Sequence, residues 1–291
     1  MSTDLPDWIT SRLGERSASR GVRKVLGLVV THQRQLAYAS TAKAAELAGV
    51  NPATVVRAAQ QVGYTGWPAM RMEVRARYLS QLSASEVLHE HADEPGDGLG
   101  RAAVRRDLHN LQDLAGLLDD DQLRRVAGIL IEARVTLVLG SGSFAAPGLQ
   151  LAHLAQTLGH DVRLERAGGT ALLNSVRLLR PGDALVLFDL WHTPQDLVRI
   201  AGLTGEHRVR LVVIADSVRP GVADAADELV LVPSEGASMF PSLVPAVTAV
   251  QAIIAAVVEA DRRAASAAAD AADRLWHDFG LFPDEHARWR E

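Results

Sequence analysis

The chain has 291 residues, of which 48% are hydrophobic and 22% charged, with a formal net charge of -5 and no cysteine. That length suits two domains or one large one, and the apolar share is ample for packed cores. The missing cysteine excludes disulfides, thiolate catalysis and cysteine-ligated zinc, and no apolar run reaches the ~18 residues of a membrane span without polar interruption.

The N-terminal stretch MSTDLPDWIT lacks a basic segment followed by an apolar core, so no secretory signal is expected and the expected compartment is the cytoplasm. Charge is unevenly spread. Residues 1–80 hold 11 Lys and Arg against 5 Asp and Glu, while the rest holds 19 against 30. A basic head on an acidic body is what contact with nucleic-acid phosphates requires.

Within the head, Thr41 to Gln60 reads as two short helices joined by a tight turn at Gly49. Ala44, Ala45, Leu47, Ala48, Val50, Val55 and Ala58 fall on inward-facing positions, and the small residues allow close crossing of the helices. Gly49 sits where the chain turns with positive φ, which glycine adopts cheaply. Asn51 followed by Pro52 is a helix start, a side-chain cap and then proline at the first position. This is the spacing of a DNA-reading helix-turn-helix.

The second helix, Pro52 to Val62, is expected to present Asn51, Ala53, Thr54, Arg57 and Gln61 outward at the end that enters the major groove. Arg57 is the best candidate for guanine or phosphate, because its fork bonds both. Lys43 and Arg71 complete the expected DNA-contacting set. Arg71, Arg75 and Arg77 lie on a following helix, Pro68 to Gln81, either as phosphate contacts or as its solvated face. Tyr64 and Trp67 read as packing anchors. The same stretch is also open to reading as an ordinary helical hairpin.

His89 to Gly100, HEHADEPGDGLG, is acidic, polar and glycine-rich and reads as a linker between residues 1–88 and 101–291. Its two histidines have no other ligand cluster beside them, so no metal is expected. Arg101 to Leu118 and Asp121 to Glu132 have helical spacing.

The period then changes. Short apolar runs at Val135–Leu139, Val162–Leu164, Ala184–Phe188, Val209–Ile214 and Glu228–Val232 alternate with helical segments. Such alternation means a parallel sheet covered on both faces. Two alanine-rich helices, Pro245 to Arg263 and Ala264 to Phe279, close the pattern. In such sheets ligands sit beyond the carboxyl ends of the strands. Ser141 and Ser143, in Gly140-Ser141-Gly142-Ser143, stand at a strand-to-helix turn that is either an anion seat or a structural turn. No Walker lysine or full dinucleotide fingerprint is present, and no cofactor is expected.

These residues resemble the RpiR family of bacterial transcription regulators over nearly the whole chain. The head matches from about Ser19 to Leu79, in LAGVNPATVVRAAQQVGYTGW. The body, about Asp107 to Phe282, is similar to the sugar isomerase (SIS) fold in Gly140-Ser141-Gly142-Ser143 and Pro233-Ser234-Glu235. The resemblance implies an all-α helix-turn-helix domain followed by an α/β SIS-type domain with a five-stranded parallel sheet and helices on both faces. It also implies palindromic double-stranded operator DNA as partner, a homodimer or homotetramer, and a phosphosugar effector that changes operator affinity.

One departure bears on the effector. Phosphosugar-binding members carry Ser-x-Ser-Gly after the third strand, whereas this chain has Asp189-Leu190-Trp191-His192-Thr193. A carboxylate there repels a phosphate, and Trp191 fills its space. The expected ligand-contacting set is Ser141, Ser143, Asp189, Trp191, His192, Thr193, Ser234 and Glu235, with Asp189 alternatively a helix cap. Asp189 and Glu235 suit an amine or hydroxyls, and Trp191 an apolar or cationic group.

Three functions fit this reading. A ligand-responsive DNA-binding regulator comes first, with no enzyme activity. A ligand-blind DNA-binding dimer is the alternative, and an isomerase or lyase with a DNA-binding head is the third. For that enzyme, Glu235 and His192 are the evident acid–base pair.

Overall fold

The structure is a computed structural model that describes residues 7–14, 16–92, 98–191, 194–219 and 221–281. The head is helical: α1 Asp7–Leu13, α2 Arg20–Thr31, α3 Gln33–Tyr38, α4 Thr41–Ala48, α5 Pro52–Gln61, α6 Trp67–Ser80 and α7 Ala84–Ala92. The body begins with α8 Leu99–Leu117 and α9 Asp120–Glu132. It continues through β1 Thr136–Leu139, α10 Ala145–Thr157, β2 Val162–Glu165, α11 Gly169–Arg177 and β3 Ala184–Asp189. Then come α12 Gln195–His207, β4 Arg210–Ala215, β5 Glu228–Leu231, α13 Val244–Ala260 and α14 Arg262–Asp278.

Local chemistry sets the helix-turn-helix. Ser40 caps α4 by accepting from the Lys43 N–H at 3.1 Å. Gly49 ends it in the left-handed region at φ 60. Asn51 caps α5 by accepting from the Thr54 N–H at 2.8 Å, with Pro52 at the first helical position. A cap of this kind stabilises a helix by about 1 kcal/mol. Around these two helices the head core gathers Val22, Leu26, Leu36, Ala45, Val55 and Trp67. Trp67 is fully buried, and its indole N–H donates to the Ala39 carbonyl at 2.8 Å.

All five strands are parallel, in the order β2-β1-β3-β4-β5. Successive side chains of a strand point to opposite faces. Val138, Val186, Phe188, Val212 and Ile214 therefore face one layer, with α9, α10 and α13 packed over them. Leu137, Leu139, Leu185, Leu187, Leu211 and Val213 face the other, under α11 and α12. Gly148 on α10 lets that helix lie against the sheet, since a Cβ there would meet Val138 Cγ1 at 3.0 Å. No single described helix is long and apolar enough to cross a membrane, and the apolar α13 is the core helix on the sheet.

The expected elements match to within about three residues, with one difference. The linker read over 89–100 is partly helical: α7 runs to Ala92 and α8 begins at Leu99. Polar composition misled there, because the outer face of a helix is polar too. α8 bridges the two parts, with Leu114 in the body core and Leu117 packed on the head core.

Candidate functional site

Two surfaces carry chemistry, and the first is the N-terminal end of α5. Asn51, Ala53 and Arg57 are exposed there, as expected of a groove-reading helix. Thr54 is not outward: it is 7% exposed. Its hydroxyl donates to Asn51 Oδ1 at 2.8 Å and accepts from Arg57 Nη2 at 2.9 Å. The first turn of α5 folds Thr54 against α2, so it braces the two exposed residues instead of contacting DNA. Gln61 is only half-exposed, at the far end of the helix. Lys43 is exposed on α4 and pairs with Glu46 at 2.8 Å.

Sequence reading missed three cations beside this end. A Cβ on Gly21 would lie 3.0 Å from Thr54 Cγ2, so the start of α2 adjoins the start of α5. Arg20, Arg23 and Lys24 are all exposed on this first stretch of α2. The available signal was Ser19, which caps α2 directly before that basic run.

Arg71 requires a correction. It is half-buried, and it pairs with Asp113 of α8 at 3.5 Å, turned toward the body. The run Arg71, Arg75, Arg77 is neither DNA-facing nor a solvated helix face. Arg75 is 7% exposed and donates to the Ala37 carbonyl at 3.0 Å and to Glu235 Oε2. Arg106 of α8 reaches the other oxygen of Glu235 at 2.9 Å. Burial pushes the Arg75 guanidinium down to about 10 and lowers that of Arg106 as well. Arg77 donates to the Val218 carbonyl at 2.7 Å, and the Glu73 carboxylate accepts the Val218 N–H at 2.5 Å. Burial raises the Glu73 carboxyl above its usual range, against the opposing pull of Arg77.

Helix α6 is thus clamped to the loops after β4 and β5, the carboxyl edge of the sheet. This edge is the second surface. Arg219 pairs with Asp189 at 3.2 Å and donates to the Trp191 carbonyl. Asp189 is fully buried, and neither of its carboxylate oxygens accepts a hydrogen bond. Burial raises its pKa to about 6, with Arg219 opposing and Asp216 and Glu73 adding. The alternative of Asp189 as a helix cap fails: α12 begins after Pro194 without any side-chain cap. Trp191 takes a positive φ of 58, and its N–H donates to Asp216 Oδ2 at 2.8 Å. The Ser234 hydroxyl donates to the same oxygen at 2.7 Å.

The expected ligand residues are therefore only partly brought together. Trp191 and Ser234 line one cleft with Asp216, walled by Ala76, Leu79 and Val87 of the head. Ser141 lines a separate one with Glu165, Arg166 and Asp196. Ser143 is exposed on the short 3-10 turn Gly142–Phe144. Glu235 is held by two arginines, and His192 and Thr193 lie outside the described residues. Among the described residues no cluster of three or more His, Asp or Glu suits a metal ion.

No family model matches the chain. The HTH-type transcriptional regulator HexR of Pseudomonas aeruginosa is 26% identical over 210 residues, 70% of this chain and 70% of that protein. The uncharacterized HTH-type transcriptional regulator YfhH of Escherichia coli is 25% identical over 150 residues, 50% of this chain and about half, 53%, of that protein. Among solved structures, the sugar isomerase domain of the RpiR transcription factor from Sphaerobacter thermophilus has a TM-score of 0.58 at 22% identity. It covers 61% of this chain and 99% of that one. The Vibrio vulnificus NanR protein, solved with ManNAc-6P, has a TM-score of 0.58 at 20% identity and covers 94% of this chain and 99% of that one. At these identities the solved structures speak for the fold, which in NanR spans head and body together. The chain is similar to HTH-type transcription regulators in sequence, and its fold, a helix-turn-helix head joined to a sugar-isomerase-type body, is consistent with an RpiR-family regulator.

Proposed function

We propose that the chain is a DNA-binding transcription regulator whose body senses a small metabolite and whose helix α6 carries that state to the head. The observation that carries this reading is the seating of α6. Five residues separate its start from the end of α5. Its Glu73, Arg75 and Arg77 bond the loops that would surround a ligand. A ligand between those loops acts on the same helix that positions α5. Residues 1–88 act as the DNA-binding unit and 101–291 as the sensing and oligomerising unit, working in the cytoplasm as a homodimer or homotetramer on a palindromic operator.

Arg57 and Asn51 contact base edges or phosphates, with Arg20, Arg23 and Lys24 on the backbone. The sequence relatives are regulators, which supports a non-enzymatic role. Glu235, one half of the evident acid–base pair, is tied up by Arg75 and Arg106.

The test is a gel shift on the DNA upstream of the gene and its neighbours. Wild-type protein is expected to bind a palindromic site, and Arg57→Ala to lose at least tenfold in affinity with folding intact. Equal binding by the variant would show that α5 does not read the DNA.

A further inference from the structure

The amino edge of the sheet, opposite the one that α6 grips, carries an open groove. It holds about 460 Å³ and is lined by Arg134, Arg163 and Arg180, with Leu137, Leu178 and Leu179. α11, which packs on this face, has only nine residues, and β2 is an edge strand paired with β1 alone. An uncovered edge strand is a place where another chain can pack. Leu178 is 66% exposed there.

Charge in the groove is mainly positive. Its one lining carboxylate, Glu165, is taken up by the Ser175 hydroxyl at 2.5 Å and the Ala167 N–H at 2.8 Å. Arg134 and Arg163 are held by Asp183 and Asp161. Arg180, and Arg177 at the end of α11, are exposed and pair with no carboxylate among the described residues.

Helix α14 lies at the same edge. The chain bends by 109° between α13 and α14, and Asp261 caps the new helix by accepting from the Ala264 N–H at 2.9 Å. α14 then crosses the end of α10 just before β2, where a Cβ on Gly159 would lie 3.6 Å from Ala268 Cβ. Ala265 is its one buried residue. From Asp270 to Leu281 none is buried, and Leu275 is 56% and Phe279 76% exposed. This outer half has three aspartates, Asp270, Asp273 and Asp278, against one arginine. An acidic helix with apolar side chains in water complements a groove with a leucine floor and an arginine rim.

We propose that the outer half of α14 docks in the amino-edge groove of a second copy of this chain, and that copy's α14 in the groove of the first. Helix and groove share one edge, so a two-fold axis beside β2 satisfies both at once, as an isologous contact does. The joint leaves the carboxyl edge and the start of α5 uncovered. It goes beyond the regulator reading and rests on its self-assembly alone.

Sedimentation of the full chain over a concentration series tests this. Phe279→Asp on the helix and Leu178→Asp in the groove change exposed residues, so Tm is expected to stay as in the wild type. Each is expected to weaken one association step by about tenfold or more. An equimolar mixture of the two variants should regain part of that association, because the intact helix of one fits the intact groove of the other.

A wild-type protein that stays monomeric, as when its own chain fills the groove, would overturn the proposal. So would a groove variant that assembles as well as the wild type, or a mixture that regains nothing. A gel shift run in parallel keeps the two readings apart. A monomer that still shifts DNA sinks this joint and leaves the regulator reading, and an assembling protein that shifts none does the reverse.

Discussion

The head holds two sets of cations with opposite destinies. Arg20, Arg23, Lys24 and Arg57 are exposed around the start of α5, while Arg71, Arg75 and Arg77 are turned into the body. Both sets follow helical spacing, and both contribute to the positive charge of residues 1–80. What separates them is the carboxylate partners: Asp113 and Glu235 stand over α6 and Glu73 lies on it, whereas among the described residues no carboxylate pairs with Arg57. Regional net charge therefore says that a surface can meet phosphate, and only the fold says which arginines are spoken for.

The sharpest way to break this contrast is to remove the buried partner. Glu235→Ala removes the carboxylate that Arg75 and Arg106 share, and a buried pair broken on one side costs about 3–5 kcal/mol. Denaturant unfolding is expected to show that loss, with the head detaching before the body. A loss under ~0.5 kcal/mol would mean that the clamp is incidental.

A smaller effect is expected at Asp189. Its raised pKa means that the folded protein holds a proton the unfolded chain has released, so stability falls as pH rises from about 4 toward 6 and stays reduced above it. Asp189→Asn should remove that slope and stabilise the protein at pH 8 by ~1–3 kcal/mol. Tm profiles of the two proteins that run parallel from pH 4 to 8 would contradict the assignment.

On the DNA-facing side the effects are expected to be of similar size or less. Arg57→Ala should cost about 1–3 kcal/mol of operator binding and relax specificity at one base position. Arg23→Ala should weaken operator and random DNA alike, by a few-fold, and reduce the salt slope by about 1. A base-specific loss at Arg23 or a uniform one at Arg57 would exchange their roles.

Much of this was legible in the sequence. Gly49 and the pair Asn51-Pro52 fix the helix-turn-helix because few residues meet those backbone demands. The strands announce themselves as short apolar runs buried on both faces. Thr54 was misplaced because the first turn of a helix touches whatever precedes it in space, here α2, which spacing along α5 does not reveal. Arg71, Arg75 and Arg77 were misread because α6 is covered by the head on one side and by the body on another. Its sequence WPAMRMEVRARYLS mixes apolar and charged residues around the whole helix. Buried charges satisfied by distant partners leave no local pattern. Asp189 was singled out correctly as an anomaly, but its pairing with Arg219 lies 30 residues downstream and needed the fold.

The central claim is that α6 belongs energetically to the body. A double-mutant cycle between Arg75→Met and Glu235→Gln, read by chemical denaturation of the full chain, tests it most directly. A coupling of about 1.5–3 kcal/mol is predicted, because Arg75→Met leaves the buried Glu235 with Arg106 alone and Glu235→Gln takes the counter-charge from the buried Arg75. Additive effects, with a coupling below ~0.5 kcal/mol, would contradict the claim and return the α6 arginines to the DNA-facing set.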